Sequence, residues 1–144
     1  MARSIREVAM NYLARREHSR WELEQKLAAK EYDADGIKLA LDRLLDDGLL
    51  SDLRFAEAYT HARKQRGNGP LKIQSELKLR GVSDDIISRY LDCGAPIWHE
   101  VVKEVRCKRF GAGVPAEYEQ RMRQARFLQQ RGFTHEQISA AFKK

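Results

Sequence analysis

Apolar residues recur along the chain at the three- and four-residue spacing of amphipathic helices. Near the N-terminus, this spacing is followed by Ile5, Val8, Ala9, Tyr12 and Leu13. The spacing places all five residues on one face of a helix. Similar stripes continue through the chain and include Ile37, Leu41, Leu44 and Leu45; Ile97, Val101, Val102 and Val105; and Met122, Ala125 and Leu128. No useful length alternates between apolar and polar residues with the period of two that favours a strand. The pattern therefore predicts an all-α protein.

The predicted helices belong to three copies of one pattern. Residues 80–87 read Arg-Gly-Val-Ser-Asp-Asp-Ile-Ile, residues 131–138 read Arg-Gly-Phe-Thr-His-Glu-Gln-Ile, and residues 30–37 match more weakly as Lys-Glu-Tyr-Asp-Ala-Asp-Gly-Ile. Three sets of apolar residues stand at the same offsets of 50 and 51 positions: Leu27, Leu77 and Leu128; Ile37, Ile87 and Ile138; Leu41, Leu91 and Phe142. A repeat of this length is one supersecondary unit used several times. We predict three tandem three-helix repeats in an elongated, curved arrangement, with domains at 1–52, 53–94 and 95–144.

Each copy contains a short turn between two helices. Gly81 and Gly132 suit a left-handed cap at a helix C-terminus, because glycine has no Cβ to clash there. Glu31 breaks that pattern in the first copy. The residues predicted to cap the following helix through a side-chain oxygen are Asp33, Ser83 and Thr134. The residues predicted to pack between the two helices are Tyr32, Val82 and Phe133.

Charge is unevenly distributed along the repeats, although the formal net charge is only +6. Residues 61–81 carry six basic side chains against one acidic one, and residues 103–131 carry eight against three, so each segment has a net charge of +5. Residues 31–57 carry eight acidic side chains against three basic ones, a net charge of −5. A single charged segment is often only a solvated helix face. Two basic segments at equivalent places in successive repeats instead predict a positive groove for a polyanion or an acidic protein surface. The predicted contact residues are Arg63, Lys64, Arg66, Lys72, Lys78, Arg80, Arg121, Arg123, Arg126 and Arg131.

The sequence lacks the residue patterns of common catalytic and metal sites. The segment Gly67-Asn68-Gly69-Pro70 leads into Leu71, not into the Lys-Ser or Lys-Thr of a phosphate-binding loop, so it is predicted to be a turn between helices. Cys93, His99 and Cys107 offer three ligand types without a recognised zinc spacing. The two cysteines are predicted to be reduced thiols. We therefore expect no catalytic residues, no metal and no cofactor.

Two further features bear on partners and location. Trp21 and Trp98 could stack on nucleic acid bases, but their helical spacing favours partial burial in the core. No run approaches the roughly 18 apolar residues of a membrane span, and residues 1–16 lack the apolar core of a signal peptide. We expect a cytoplasmic protein with no membrane partner. An open stack of repeats gives no reason to expect a closed oligomer, so we expect a monomer.

Four segments of the chain together resemble the RecX family, regulators of the bacterial recombinase RecA. They are residues 16–23 (Arg-Glu-His-Ser-Arg-Trp-Glu-Leu), 44–56 (Leu-Leu-Asp-Asp-Gly-Leu-Leu-Ser-Asp-Leu-Arg-Phe-Ala), 69–82 (Gly-Pro-Leu-Lys-Ile-Gln-Ser-Glu-Leu-Lys-Leu-Arg-Gly-Val) and 126–133 (Arg-Phe-Leu-Gln-Gln-Arg-Gly-Phe). Their order and spacing agree with the family across nearly the whole chain. Ser51 stands where an acid is common before Asp52, and Glu31 replaces the usual glycine.

The resemblance implies an all-helical protein of three three-helix repeats with no catalytic activity of its own. It implies a partner, the RecA filament on single- or double-stranded DNA, and a regulatory role in DNA repair and the SOS response. The expected effect is to modulate, and mostly to inhibit, the recombinase, ATPase and coprotease activities. Two alternatives stay open: a stand-alone DNA-binding module whose helix pairs act like helix-turn-helix units, and a helical adaptor that binds only protein.

Overall fold

A computed structural model of the chain describes residues 3–143, which form nine helices and no strand. This confirms the predicted all-α class. The helices are α1 Ile5–Arg15, α2 Arg20–Ala29, α3 Ala34–Asp46, α4 Asp52–Gln65, α5 Pro70–Leu79, α6 Asp84–Tyr90, α7 Ile97–Phe110, α8 Tyr118–Gln130 and α9 His135–Ala141. In chain order they make three sets of three. None of the helices in residues 3–143 is long and apolar enough to cross a membrane.

Capping side chains fix several of the helix starts. The Ser19 hydroxyl accepts a hydrogen bond from the Glu22 N–H at 3.1 Å, and the Glu22 carboxylate accepts one from the Ser19 N–H at 3.1 Å. Thr134 and Gln137 make the same reciprocal pair at 3.1 and 2.9 Å. Each pair satisfies two N–H groups that a helix start otherwise leaves unpaired. Pro70 is the first residue of α5, the position that tolerates its missing N–H.

The turn before the third helix of each repeat has the same backbone conformation in all three copies. Glu31, Gly81 and Gly132 have φ values of 66°, 77° and 98°. Glu31 therefore adopts the left-handed conformation without being a glycine, at a cost of about 1–2 kcal/mol. Asp33 and Ser83 then cap α3 and α6 as predicted, each accepting the N–H three residues on, at 3.2 and 3.3 Å.

Two compact units divide the chain, and both draw on the middle repeat. The first comprises residues up to 59 together with 77–90, and the second comprises 60–76 together with residues from 91 onward. Both α4 and α5 cross from one unit to the other. Each unit therefore contains one outer repeat and the part of the middle repeat that packs against it. The domain boundaries after residues 52 and 94 stay a prediction.

The core of the first unit is built from the predicted helix stripes. One buried cluster of this core consists of Val8, Ala9, Leu23, Leu27, Ile37, Leu41, Leu44 and Leu50. Tyr32, the predicted filler of the first turn, packs against this cluster. Leu45, predicted to lie in the α3 stripe, is instead exposed. It follows Leu44 by one position, which rotates it about 100° away from the buried face.

The core of the second unit is organised around Trp98 and Phe133. Their rings meet edge to face with centroids 6.3 Å apart, and the indole N–H of Trp98 donates to the Asp92 carbonyl at 3.0 Å. Partial burial was predicted for both tryptophans: Trp98 is only 4% exposed, and Trp21 in the first unit is 43% exposed. Ile97 and Met122 were predicted in core stripes but are exposed. The buried face of α7 instead begins one position later, at Trp98.

Glycine turns bring successive repeats into close contact within each unit. A Cβ added at Gly81 would lie 2.7 Å from the Cβ of Trp21, and one added at Gly132 would lie 2.6 Å from the backbone nitrogen of Lys72. The Gly132 carbonyl accepts a hydrogen bond from the N–H of Leu71 at 2.9 Å. Both turns therefore need glycine for contact as well as for φ. The exposed Glu31 can carry a side chain in the same conformation.

Candidate functional site

Residues of α4, α7 and α8 and the turns that follow α4 and α8 line a cleft of about 530 Å³ in the second unit. Its basic side chains are Lys64, Arg66, Lys108, Arg109 and Arg131. One acidic side chain, Glu104, also lines it, and the apolar part of its wall comes from Val101, Val105 and Phe127. The cleft thus combines a strong excess of positive charge with an apolar surface formed by these three side chains, which we call its floor.

One face of α7 supplies a whole wall of the cleft. The five lining residues of α7 are Val101, Glu104, Val105, Lys108 and Arg109. They follow the i, i+3, i+4, i+7, i+8 spacing, so they share one side of the helix. The opposite wall comes from the last turn of α4 and the residues after it, where basic side chains also complement the negative end of the helix dipole.

Two arginines flank an aromatic ring in the cleft. The guanidinium carbons of Arg109 and Arg131 lie over the Phe127 ring, 5.1 and 5.0 Å from its centroid. These distances are within the range of cation–π attraction. Arg131 also donates a hydrogen bond to the carbonyl of Arg66 at 3.0 Å. Phe127 meets Phe110 edge to face, with centroids 5.3 Å apart. These contacts hold the two arginines in place at the cleft.

Three of the ten predicted contact residues, Lys64, Arg66 and Arg131, meet in this cleft. Arg63, their neighbour in sequence, is held elsewhere. Its guanidinium makes two hydrogen bonds to the Glu76 carboxylate, at 3.0 and 2.9 Å. The side chains are 23% and 19% exposed. This bidentate, half-buried pair neutralises the charge of Arg63 and ties α4 to α5.

The other predicted residues of the second unit lie outside the cleft lining. Arg121 donates to the carbonyls of Pro115 and Ala116, at 3.3 and 2.7 Å. Arg123 and Arg126 are exposed on α8 and form no ion pair with any residue in 3–143. The stem and backbone of Lys72 pack against the Gly132 turn.

In the first unit, the remaining two predicted residues have acidic neighbours. The Lys78 ammonium lies 3.8 Å from the Asp84 carboxylate. The Arg80 guanidinium lies 3.7 Å from the Glu22 carboxylate and 4.9 Å from the centroid of the Tyr59 ring. The basic segment 61–81 is therefore divided between the two units, and only its first part contributes to the cleft.

Sequence reasoning missed Lys108 and Arg109. Both belong to the basic segment 103–131, but neither was among the predicted contacts. The helical spacing from Val101 to Arg109 was the signal that could have placed them on one face. Arg106 was counted among the eight basic side chains of residues 103–131, but it is only 2% exposed. Arg106 donates to the carbonyls of Ala141, Gly113 and Ala112 at 3.0, 3.1 and 3.2 Å, so its charge holds the turn after α7 and is not a surface charge.

A buried histidine forms a separate polar site in the first unit. The Nδ1 atom of His18 lies 3.0 Å from the Arg16 carbonyl, and its Nε2 atom lies 2.8 Å from the Lys26 ammonium. Because a carbonyl can only accept and an ammonium can only donate, the ring is neutral with its proton on Nδ1. Burial lowers the pKa of His18, which favours this neutral form. No group of three or more His, Cys, Asp or Glu residues in 3–143 is arranged to hold a metal ion.

Three family models match the chain in succession. They describe the first, second and third three-helix domains of RecX and match residues 6–44, 51–91 and 99–142. The chain belongs to the RecX family. The three matched ranges correspond to α1–α3, α4–α6 and α7–α9, and their ends differ from the helix ends by no more than two residues. The repeats found in the sequence are therefore RecX domains.

RecX proteins of known name and structure support this assignment. The regulatory protein RecX of Halorhodospira halophila is 46% identical over 138 residues, covering 96% of this chain and 86% of the relative. That of Chromohalobacter salexigens is 43% identical over 136 residues, covering 94% and 89%. The crystal structure of RecX from Lactobacillus salivarius shares the fold, with a TM-score of 0.73 at 23% identity over 95% of this chain and 91% of that one. The cleft draws Lys64 and Arg66 from the second RecX domain and the rest of its basic residues from the third.

Proposed function

We propose that this protein binds the RecA–DNA filament and modulates it, mostly by inhibiting its recombinase, ATPase and coprotease activities. Membership of the RecX family and the regulatory role in the names of its relatives support a regulatory protein. The observation that supports the cleft as the binding surface is its charge, with five basic side chains against one acidic side chain. A nucleoprotein filament offers the anions that such a site attracts, namely DNA phosphates and acidic protein side chains.

The proposed mechanism is binding without chemistry of its own. A chain of helical repeats offers a long binding surface, and its placement along the filament would bridge neighbouring RecA protomers. Such a bridge would restrict the motions that accompany ATP turnover and would obstruct the approach of a second DNA or of a repressor. The proposed role places the protein in the cytoplasm, because the RecA filament forms on chromosomal DNA there.

A charge reversal in the cleft tests this proposal. Arg66 and Lys108 are exposed and make no ion pair within residues 3–143, so the double variant Arg66→Glu/Lys108→Glu should fold normally. The matched control is Arg43→Glu/Lys103→Glu, which makes the same change in charge at exposed positions outside the cleft. The measurement is the rate of DNA-dependent ATP hydrolysis by RecA against the concentration of each variant.

We expect the wild type and the control to lower the ATPase rate, and the cleft variant to need about tenfold or more protein for the same effect. That shift corresponds to about 1.4 kcal/mol of lost binding free energy. If the wild type leaves the rate and the filament unchanged at all concentrations, the proposal is wrong. If the wild type binds naked DNA as tightly as it binds the filament and does not affect ATP hydrolysis, the stand-alone DNA-binding module is the better description.

A further inference from the structure

From the shape and chemistry of the cleft, we infer that it accepts one unstacked nucleotide of single-stranded DNA, with the phosphate on the basic rim and the base on the apolar floor. This inference rests on the proposed function and specifies the ligand of the same site. It separates this cleft from a general positive surface, which would contact only the DNA backbone and would not distinguish a strand with bases from one without.

The size of the cleft favours a ligand as small as a nucleotide. A volume of about 530 Å³ lies within the roughly 300–1,000 Å³ range of small-ligand pockets. A duplex could only lie across its mouth, because its bases are paired and stacked inside the helix. An extended single strand can turn one base out of its stack and into such a space.

The floor of the cleft carries an apolar surface that phosphates cannot use. Val101 and Val105 lie one helix turn apart on α7, and Phe127 comes from α8. If the ligand were only a chain of phosphates, these side chains would gain nothing from binding. A nucleobase has an apolar face of similar size, and covering it removes both surfaces from water.

The arginines on Phe127 add a planar partner for a base. Arg109 is exposed, and its guanidinium already has one aromatic ring beneath it, 5.1 Å from the ring centroid. A base can stack on the outer side of a guanidinium plane, as bases do in single-strand and RNA recognition. Arg131 is held by the Arg66 carbonyl as well as by Phe127, so part of the entropy of ordering it is lost before the ligand arrives. An acidic peptide would form ion pairs with the basic side chains, but its carboxylates would not stack on the planar guanidinium groups.

This inference is tested by measuring how the full chain binds three fluorescent probes. Each probe is about 12 nucleotides long, within the usual range of single-strand site sizes. The probes are oligothymidylate, an abasic strand with the same number of phosphates, and a duplex, and the readout is fluorescence anisotropy. We expect the abasic strand to bind at least about fivefold more weakly than oligothymidylate, because stacking contributes about 1–3 kcal/mol per base. Equal affinity for the two strands, or no binding to either, overturns the inference.

The variant Arg109→Lys keeps the positive charge but removes the planar group. We expect it to weaken oligothymidylate binding several-fold while leaving abasic-strand binding nearly unchanged, whereas the control Arg43→Lys changes neither. The variant Phe127→Leu, which keeps an apolar floor, should show the same selective loss if circular dichroism confirms that it is folded. If Arg109→Lys weakens both strands equally, the arginine acts by charge and the base contact is refuted.

Three further outcomes distinguish this inference from other ligands and from the proposed function. A polyglutamate peptide that displaces oligothymidylate as well as a DNA competitor of equal charge would identify an acidic protein segment as the ligand and overturn the nucleotide. A protein that inhibits RecA but does not distinguish the abasic strand would keep the proposed function and lose this inference. A protein that prefers oligothymidylate but leaves RecA unaffected would keep the nucleotide site and lose the proposed function.

Discussion

Replacement of Gly132 by alanine tests whether the glycine turn sets the contact between repeats in the second unit. Gly132 has a φ of 98°. An added Cβ would lie 2.6 Å from the backbone nitrogen of Lys72 and 3.0 Å from its Cα, and it would also collide with the Lys72 Cβ. These atoms belong to the first turn of α5, which cannot move aside as the end of a flexible side chain can. The alanine must therefore displace the turn or the helix.

The expected loss of stability has three parts. An L-residue in the left-handed conformation costs about 1–2 kcal/mol, and overpacking at a tight contact costs about 1–3 kcal/mol. The lower entropy of the unfolded alanine chain returns about 0.4–1 kcal/mol. The net effect is a loss of about 1–5 kcal/mol in the free energy of unfolding, with a centre near 3 kcal/mol. This is a large share of the roughly 5–15 kcal/mol that stabilises a typical domain.

Two other glycines separate strain from contact. Gly48 has a φ of 74°, but an added Cβ would meet nothing within 4 Å, so Gly48→Ala reports backbone strain alone. Gly113 has open space around it and no positive φ, so Gly113→Ala reports the baseline effect of the substitution. The difference between Gly132→Ala and Gly48→Ala measures the cost of contact with α5, and we expect it to be about 1–3 kcal/mol.

Urea unfolding monitored by far-ultraviolet circular dichroism gives these free energies. Because the chain has two compact units, a second signal is needed for the unit that carries the substitution. Trp98 is buried in the second unit, so its fluorescence in a Trp21→Phe background reports that unit. If Gly132→Ala costs no more than Gly48→Ala, the turn can adjust without loss and the contact does not set the packing of the repeats.

Three more substitutions follow from the structure. Because burial lowers the pKa of His18 below its usual 6.5, stability should be full above that pH and fall as the pH drops below it. In the His18→Asn variant, the urea midpoint of unfolding should fall less between about pH 7.5 and about pH 5.5 than it does in the wild type. An equal fall in both proteins would refute the assignment of a neutral His18. Arg106→Lys should cost about 2–4 kcal/mol in urea unfolding, since an ammonium cannot reach all the carbonyls that the guanidinium joins; a loss below about 0.5 kcal/mol would contradict this structural role. Glu31→Gly should change the unfolding free energy by less than about 1 kcal/mol, because relief of strain offsets the entropy of glycine, and a large loss would show that the Glu31 side chain has an unrecognised role.

The sequence predicted those parts of the fold that depend on short-range chemistry. A capping box such as Ser19 with Glu22 spans three residues, and a glycine turn such as Gly81 spans fewer, so both are visible in the chain itself. Their recurrence at fixed offsets then established three copies of one unit. The stripes were less reliable at their edges. Ile97 and Met122 are apolar and correctly spaced from other apolar residues, yet both are exposed, because spacing does not say which of two neighbouring faces is buried.

The candidate site was harder to predict because it depends on contacts between distant parts of the chain. Lys64 and Arg131 lie 67 positions apart in the sequence, and only the packing of the second and third repeats brings both into one cleft. Local charge also does not reveal a partner. Arg63 and Arg66 look alike in the sequence, but Arg63 faces the Glu76 carboxylate, whereas Arg66 lies in the turn after α4 and lines the cleft.

The division of the basic residues into paired and unpaired groups decides which substitutions can report on partner binding. Loss of a side chain such as Arg63 leaves the half-buried Glu76 carboxylate without its bidentate partner, so any fall in filament affinity would include damage to the α4–α5 contact. Loss of the Arg106 side chain would damage the packing more, because its buried guanidinium links the turn after α7 to the end of α9. Arg66 and Lys108 hold no such contact through their side chains within residues 3–143, so their reversal changes the charge of the cleft and leaves the packing intact. Loss of binding on reversing this second group alone is therefore the result that would assign the cleft to the partner.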